Sequence, residues 1–455
     1  MLNYIKKTTQ KNIAIILLIT IGILIKLYNF NTEDLWWDEM LSFWSSSPDI
    51  NFSKTFHRNL DVNLGSQIVF TYLLKFFYLI FGYDPYISRL LPISFGVLSI
   101  PALFLLIKKL NLNDHLFLIL FLFLFNSYII SYEQELRTYS LIVLLSILSF
   151  IFFLNLYRKN NFLNLTLLSI INLIGILSHT FFSIIIISQF VFLLINKDLT
   201  LIRFSLSQII VGILFLLISH EALISQLNTK DIWYSRITTD FLTNFYFSRF
   251  FSSKLLGSIY FTLFVFVTYN FRAILFNKKS FYFFFLLVIF FAYTLPILHQ
   301  FLRKPILTDR YIIFIIIPIL ILVSTGLFNF QKKKFKILII YLICGATFLD
   351  TTIRIYKNEI TKPEFKKSLK YISESNYPLI VINNDQNYKI IRNYLVKLNR
   401  NININDKIPN EGKFWQLCYL PLTNMKCDLN LSNKQLSIID SKKFYLVEIN
   451  LYSNK

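Results

Sequence analysis

A chain of 455 residues that is 55% hydrophobic, with 49 Phe and only 10 Gly, is too apolar to be a soluble domain of this size. Its net charge is +21, yet the bases fall in short clusters between apolar runs, a pattern of membrane topology that argues against a nucleic-acid partner. None of the three cysteines sits at metal-ligand spacing.

Lys6, Lys7 and Lys11 precede an apolar run over 13–30 that is too long for a cleaved leader and lacks a small-residue cleavage site, so it reads as a signal anchor. Trp36-Trp37-Asp38-Glu39 follows it. Tryptophan favours the membrane–water boundary, and adjacent carboxylates there are costly to desolvate. The plain alternative is a wet loop that happens to carry two acids. Further runs of spanning length lie near 89–107, 115–131, 138–157, 162–178, 181–196, 202–219, 256–276, 281–298, 311–329 and 336–353. The run 67–81 is shorter and has Lys75 in its middle.

Positive-inside counting decides that run. If it does not cross, Lys6/Lys7/Lys11, Lys108/Lys109, Arg158/Lys159, Lys197/Arg203, Arg272/Lys278/Lys279 and Lys332–Lys334/Lys336 all share one side. It therefore reads as an interfacial helix, with Lys75 reaching to the head groups. The expected architecture is an α-helical polytopic membrane protein of about eleven spans, N-terminus inside and C-terminus outside. A membrane domain over 1–353 would contain a long first outer loop at 31–88, and an α/β domain would fill 354–455. In that last part Pro363–Ser375 and Tyr388–Leu398 read as helices, and Leu379–Ile382 and Phe444–Ile449 as strands. Cys418 and Cys427 lie there, and the sequence leaves open whether they pair.

Four outer features carry chemistry: Asp38/Glu39; Tyr132-Glu133-Gln134-Glu135-Leu136-Arg137-Thr138-Tyr139; His179; and Asp309-Arg310-Tyr311. Singly, each has a bland reading: a wet loop, a local ion pair, an interfacial histidine, a snorkelling arginine. Should they converge at the outer face, they would form one site in which a carboxylate takes a proton while arginines hold a phosphate leaving group.

The same segments resemble a known family. Trp37-Asp38-Glu39, Asp84-Pro85-Tyr86-Ile87-Ser88-Arg89-Leu90-Leu91-Pro92, the Tyr132–Tyr139 stretch and Ser178-His179-Thr180-Phe181 are similar, in order and spacing, to elements of the GT-C membrane glycosyltransferases. These use polyprenyl-phosphate sugars and include the dolichyl-phosphate-mannose protein mannosyltransferases and the aminoarabinose lipid A transferases. The second stretch resembles the family pattern Tyr-Ser-Gln-Glu-Ala-Arg-x-Tyr. One segment departs: where the family commonly has Asp-x-His-Pro-Pro-Leu-Tyr, this chain has Asp61-Val62-Asn63-Leu64-Gly65-Ser66-Gln67.

The resemblance implies an inverting transferase in the cytoplasmic (inner) membrane of a bacterial cell, with a polyprenyl-phosphate-linked sugar as donor and a glycan, lipid or protein as acceptor. Asp38 is implied as catalytic base, with Glu39 and Glu135 as further catalytic acids. Asp61, Arg137, Tyr139, His179, Arg249, Arg310 and Tyr311 are implied as substrate-binding residues. No cofactor is required; the acids admit a divalent metal without demanding one. A transporter or flippase would want ionisable residues at mid-span and a repeat, and neither is evident. A polysaccharide polymerase or ligase would instead rely on the late loop 220–255, with Arg236 or Arg249. The topology has a direct check: a cysteine placed near residue 110 should resist an impermeant thiol reagent in intact cells, and ready labelling would mean that 67–81 crosses.

Overall fold

The computed structural model describes residues 2–63, 66–228, 239–357, 360–375, 377–381, 387–399, 404–405, 411–420, 427 and 436–454. Lys230 and Arg236 of the late loop lie outside the described residues. The chain forms two compact units. The first comprises Met1–Tyr28, Asn63–Phe70 and Pro92–Lys357; the second comprises Asn29–Val62, Thr71–Leu91 and Asn358–Lys455. The division differs from a cut at 353: most of the first loop folds with the C-terminal residues, because buried ion pairs join them.

In the first unit, six helices among the described residues are long and apolar enough to cross a membrane. They are Leu90–Lys109, Tyr139–Arg158, Leu201–Gln226, Phe281–Leu302, Asp309–Phe328 and Lys333–Lys357. Leu116–Leu124 and Ser127–Glu133 form a seventh candidate, bent by 58°. Of the remaining runs of the expected eleven, the first lies in the Leu2–Leu27 helix, with Asn12–Leu27 as its apolar part, and the other three are shorter helices. Phe162–Ser178 and Lys254–Asn270 have 17 residues each, and Ser183–Asn196 has 14. Capping side chains set several of these ends: Asn161 and Ser253 each accept a first-turn N–H of the helix that follows.

Burial ranks the helices. The apolar windows of Tyr139–Arg158 and Asp309–Phe328 are 83% and 89% buried, so these two form the centre of the bundle. Leu201–Gln226 and Lys333–Lys357 are only 11% and 17% buried and present their apolar side chains to lipid. Four of the helices are joined by buried amides: Asn172 Nδ2 donates to Gln189 and Gln208, and Gln189 Nε2 and Asn172 Oδ1 both meet Ser149 Oγ. In hydrocarbon such groups must find each other, so they fix which helix faces which.

The bend at Phe125–Asn126 frees backbone groups that lipid cannot satisfy. Side chains take that part. Asn126 caps Ile129 N–H at 2.8 Å and donates to the Phe250 carbonyl at 3.0 Å. Thr351 Oγ1 donates to the Phe125 carbonyl, and Arg354 to that of Ser127 at 3.0 Å.

Lys26 and Glu133, both buried, form an ion pair that anchors the first helix to the bent pair. Gln134 Nε2 reinforces it by donating to the Lys26 and Tyr28 carbonyls, both at 2.9 Å. Gly96 is small for this reason: a Cβ there would overlap the Glu133 carboxylate.

The second unit carries a five-stranded sheet of order β2-β1-β3-β5-β4, where β1 is Leu379–Val381, β2 Ile404–Asn405, β3 Gly412–Tyr419, β4 Leu436–Phe444 and β5 Val447–Asn454. β1 pairs in parallel with β2 and β3, and β5 runs antiparallel to β3 and β4. The expected single strand at 444–449 is a hairpin corner, because Leu446 turns with φ 57° between β4 and β5. Phe365–Ser373 and Asn387–Leu398 are the two expected helices. Cys418 and Cys427 form a disulfide.

Within this unit Arg89 organises the first loop. It donates through Nε and Nη2 to the two Glu39 oxygens, both at 2.8 Å, and to the carbonyls of Phe30, Glu33 and Asp34. Lys362 adds a third bond to Glu39 at 2.9 Å. Asp34 accepts from the Lys366 N–H and from Tyr394 Oη, although its burial holds the carboxyl above the ordinary range. Lys75 corrects the expectation that it reaches the head groups. It is 2% exposed and donates to the Ser47 and Ile50 carbonyls, while Phe76, Leu79, Ile80 and Phe81 on the same helix are exposed. The turn at 47–50 offers it two carbonyls, so solvation by head groups is unnecessary.

The Lys26–Glu133 pair makes the stability of the first unit testable. Lys26→Met strands a buried carboxylate and should cost about 3–5 kcal/mol, read as an earlier melt of the protein in detergent. Adding Glu133→Gln should recover most of the loss.

Candidate functional site

In the first unit, three connections converge. The turn Gln134–Thr138 joins the bent pair to the central Tyr139–Arg158 helix, with Leu136 fully buried as its anchor. His179 ends the Phe162–Ser178 helix and starts the 3₁₀ turn Thr180–Phe182. Asp309-Arg310-Tyr311 opens the other central helix with a 3₁₀ segment.

Aromatic rings join them. Tyr132 meets Tyr128 at 4.8 Å and Tyr139 at 5.0 Å between centroids. His179 meets Tyr311 at 4.7 Å and Tyr139 at 6.5 Å. Arg310 stands 6.0 Å from the Tyr139 ring and 5.7 Å from that of Tyr311. Tyr128 Oη donates to Asp309 at 3.1 Å. Arg137, 8% exposed, donates to Asn63 Oδ1 at 2.9 Å, and the Thr138 N–H reaches Gln67 Oε1 at 3.3 Å.

The electrostatics follow from this placement. Burial, then Arg137 and Arg310, push the His179 imidazole down to about 3, so it is neutral at pH 7. Its Nδ1 accepts from the Phe181 N–H, which puts the ring proton on Nε2. Beside it lies a small, partly open pocket whose polar lining includes Ser66, Gln67, Thr180 and Ser219. Tyr246 stands at the edge of the cluster and donates to the Leu307 carbonyl. Burial and Asp309 hold its hydroxyl up to about 12, against the pull of the exposed Arg249.

Arg137, Tyr139, His179, Arg310 and Tyr311 are thus brought together in the first unit, with Glu135 close enough for its charge to act on Tyr132 and Tyr139 and with Arg249 at the margin. In the second unit Asp38 and Glu39 sit in the first turn of the Trp37–Ser45 helix and differ sharply. Glu39 is fully buried between Arg89 and Lys362, and also accepts from the Trp36 N–H at 3.3 Å. Asp38 is half-buried; Trp37 beside it stacks on Tyr419 at 6.2 Å. The Tyr419 hydroxyl is pushed up to about 12, by burial first and by the Asp38 charge as well. Asp61 is exposed near the end of the Phe52–Asn63 helix.

Sequence reasoning passed over Asn63, Gln67, Tyr128, Tyr132 and Lys362. The first two lie in the segment that departs from the family pattern, and that departure was the available signal. Among the described residues no three or more His, Cys, Asp or Glu side chains are grouped to hold a metal ion, and no step is assigned to one.

This architecture, with helical membrane spans and a small C-terminal sheet, is similar in fold to solved membrane proteins of the GT-C type. No protein-family model matches the sequence, and no curated protein matches it. Solved structures do. ArnT from Cupriavidus metallidurans in the apo state aligns over 96% of this chain and 97% of its own, with a TM-score of 0.65 at 10% identity. The same protein bound to undecaprenyl phosphate gives 0.60 at 9% identity over the same shares. The archaeal oligosaccharyltransferase AglB from Archaeoglobus fulgidus, in complex with an inhibitory peptide and a dolichol-phosphate, gives 0.51 at 12% identity, covering 84% of this chain and 59% of AglB.

His179 supplies a pH test. Its folded value lies below the ordinary 6.5, so the unfolded chain takes up the proton first as pH falls. The stability it contributes is complete above about 6.5 and is lost progressively toward about 3. Wild type should therefore lose more melting temperature between pH 7 and pH 5 than His179→Asn does.

Proposed function

We propose that this chain is an integral-membrane glycosyltransferase that moves a sugar from a polyprenyl-phosphate donor to an acceptor at the outer face of the membrane. The observation that carries the reading is the convergence of Arg137 and Arg310 on a neutral imidazole within one unit. Two guanidiniums in a low-dielectric cluster match a phosphate, and an imidazole that stays uncharged adds an N–H without a further positive charge. The likeness of fold to ArnT, solved with undecaprenyl phosphate, supports a lipid-linked phosphate over a nucleotide.

In the reaction the bond between the sugar C1 and the phosphate oxygen breaks, and a bond from C1 to the acceptor oxygen or nitrogen forms. The acceptor proton passes to a carboxylate, the role assigned to Asp38. The charge left on the phosphate is balanced by Arg310 and Arg137. Glu39, committed to Arg89 and Lys362, is assigned to holding the helix that carries Asp38. Glu135, beside Tyr132 and Tyr139, is assigned to the arginine side of the site. The disulfide Cys418–Cys427 supports an oxidising, extracytoplasmic location for the C-terminal residues.

Asp38→Asn should lower sugar transfer about a hundredfold or more while expression and membrane insertion stay normal. The assay is mass analysis of glycolipids and glycoproteins from cells carrying either form. Near-normal transfer would remove Asp38 from the role. Survival of activity in that variant together with its loss in Arg249→Ala would favour a polymerase or ligase.

A further inference from the structure

The Trp37–Ser45 helix begins with N–H groups that no earlier turn of its own can meet, and the positive end of its dipole lies there too. A carboxylate in such a first turn is drawn back onto its own helix, where it does not serve a substrate. Asp38 and Glu39 are both placed to be drawn in this way. Glu39 is, since it accepts from the Trp36 N–H at 3.3 Å. The groups on either side are met by tyrosines of the C-terminal residues. Tyr394 Oη accepts from the Leu35 N–H at 3.1 Å, and the Tyr419 hydroxyl lies against the Trp37 backbone.

Tyr419 is fixed from both sides. It ends β3 paired with Val447 of β5, Cys418 before it is bonded to Cys427, and the Leu420 N–H after it donates to the Leu446 carbonyl at 2.9 Å. Its side chain is 5% exposed, stacked on Trp37 at 6.2 Å and 5.7 Å from the Phe365 ring. A buried phenol needs a polar partner for its hydroxyl, and this one finds it at the helix start. Burial pushes the hydroxyl up to about 12, the Trp37 N–H draws it back and the Asp38 charge adds to the rise. It therefore stays neutral at pH 7.

We propose that Tyr419 is a positioning residue for Asp38: its hydroxyl occupies the helix start at Trp37, which keeps the Asp38 carboxylate from folding back there and directs it to the acceptor. This rests on the reading of Asp38 as the carboxylate that takes the acceptor proton, and it gives the C-terminal domain a part in the reaction beyond bracing. The division of labour has a chemical reason. Arg89 and Lys362 hold Glu39 by charge and so consume it. A neutral phenol beside Asp38 secures the backbone without pairing with the carboxylate as an ion.

The test compares Tyr419→Phe with wild type in three measurements. They are the rate at which transferred sugar accumulates in cells at equal protein level, read by mass analysis, the binding of undecaprenyl phosphate to the purified full chain in detergent, and the melting temperature. The Phe variant keeps the ring between Trp37 and Phe365 and loses only the hydroxyl. Transfer should fall about tenfold while binding and melting temperature stay at the wild-type values. Transfer at the wild-type rate would overturn the proposal. So would a loss of transfer that comes with a clear drop in melting temperature, the mark of a purely structural role. A second comparison shows whether Tyr419 acts through Asp38. Added to Asp38→Asn, Tyr419→Phe should change the remaining transfer by less than about twofold, because the carboxylate it positions is gone. A further loss there of about tenfold would overturn the proposal, since Tyr419 would then act independently of Asp38. Near-normal transfer by Asp38→Asn alone would instead remove the functional reading of Asp38 itself.

Discussion

A charge taken out of water must be met by an opposite charge or by several hydrogen bonds, and this requirement shapes both acidic segments of the chain. In the first loop Glu39 is enclosed by Arg89 and Lys362. In the second, Glu133 is matched by Lys26. Each pair spans a long stretch of sequence and ties an element that would otherwise be only tethered. Each pair also absorbs one acid into the scaffold, Glu39 in the first loop and Glu133 in the second.

Arg89 shows how much one side chain can hold. Its donors reach the carboxylate of Glu39 and three carbonyls between Phe30 and Asp34, closing the start of the loop onto the turn before the Leu90–Lys109 helix. The C-terminal residues add Lys362 and Lys366 to the same acidic stretch. Within the second unit the C-terminal domain therefore grips the segment that carries Asp38, a bracing role.

Much of this was legible from residue order. Long apolar runs with basic clusters between them mark spanning helices because lipid tolerates little else, and the two acidic segments stood out by their neighbours. Distance in sequence hid the rest. Nothing near Lys26 announces Glu133, and nothing near Glu39 announces Lys362. Periodicity could not show the break at Phe125–Asn126, since the apolar run continues through it and the bend depends on side chains from other helices. Lys75 misled because a lysine beside lipid has two ways to be solvated, and the carbonyls at 47–50 were not visible as the second. Asn63 lies in the segment that departs from the family pattern, and its amide oxygen has a partner 74 residues away, Arg137, that no local pattern announces.

The Lys26–Glu133 pair bears on how the protein is made. Lys26 lies near the end of the first helix and is synthesised 107 residues before its partner. Until Glu133 emerges, the ammonium has no counter-charge and is held best at the membrane surface, where its long stem can reach water. Final seating of the first helix must then wait for the bent pair. Insertion of this chain is thereby given an order, with the first helix the early arrival that docks late.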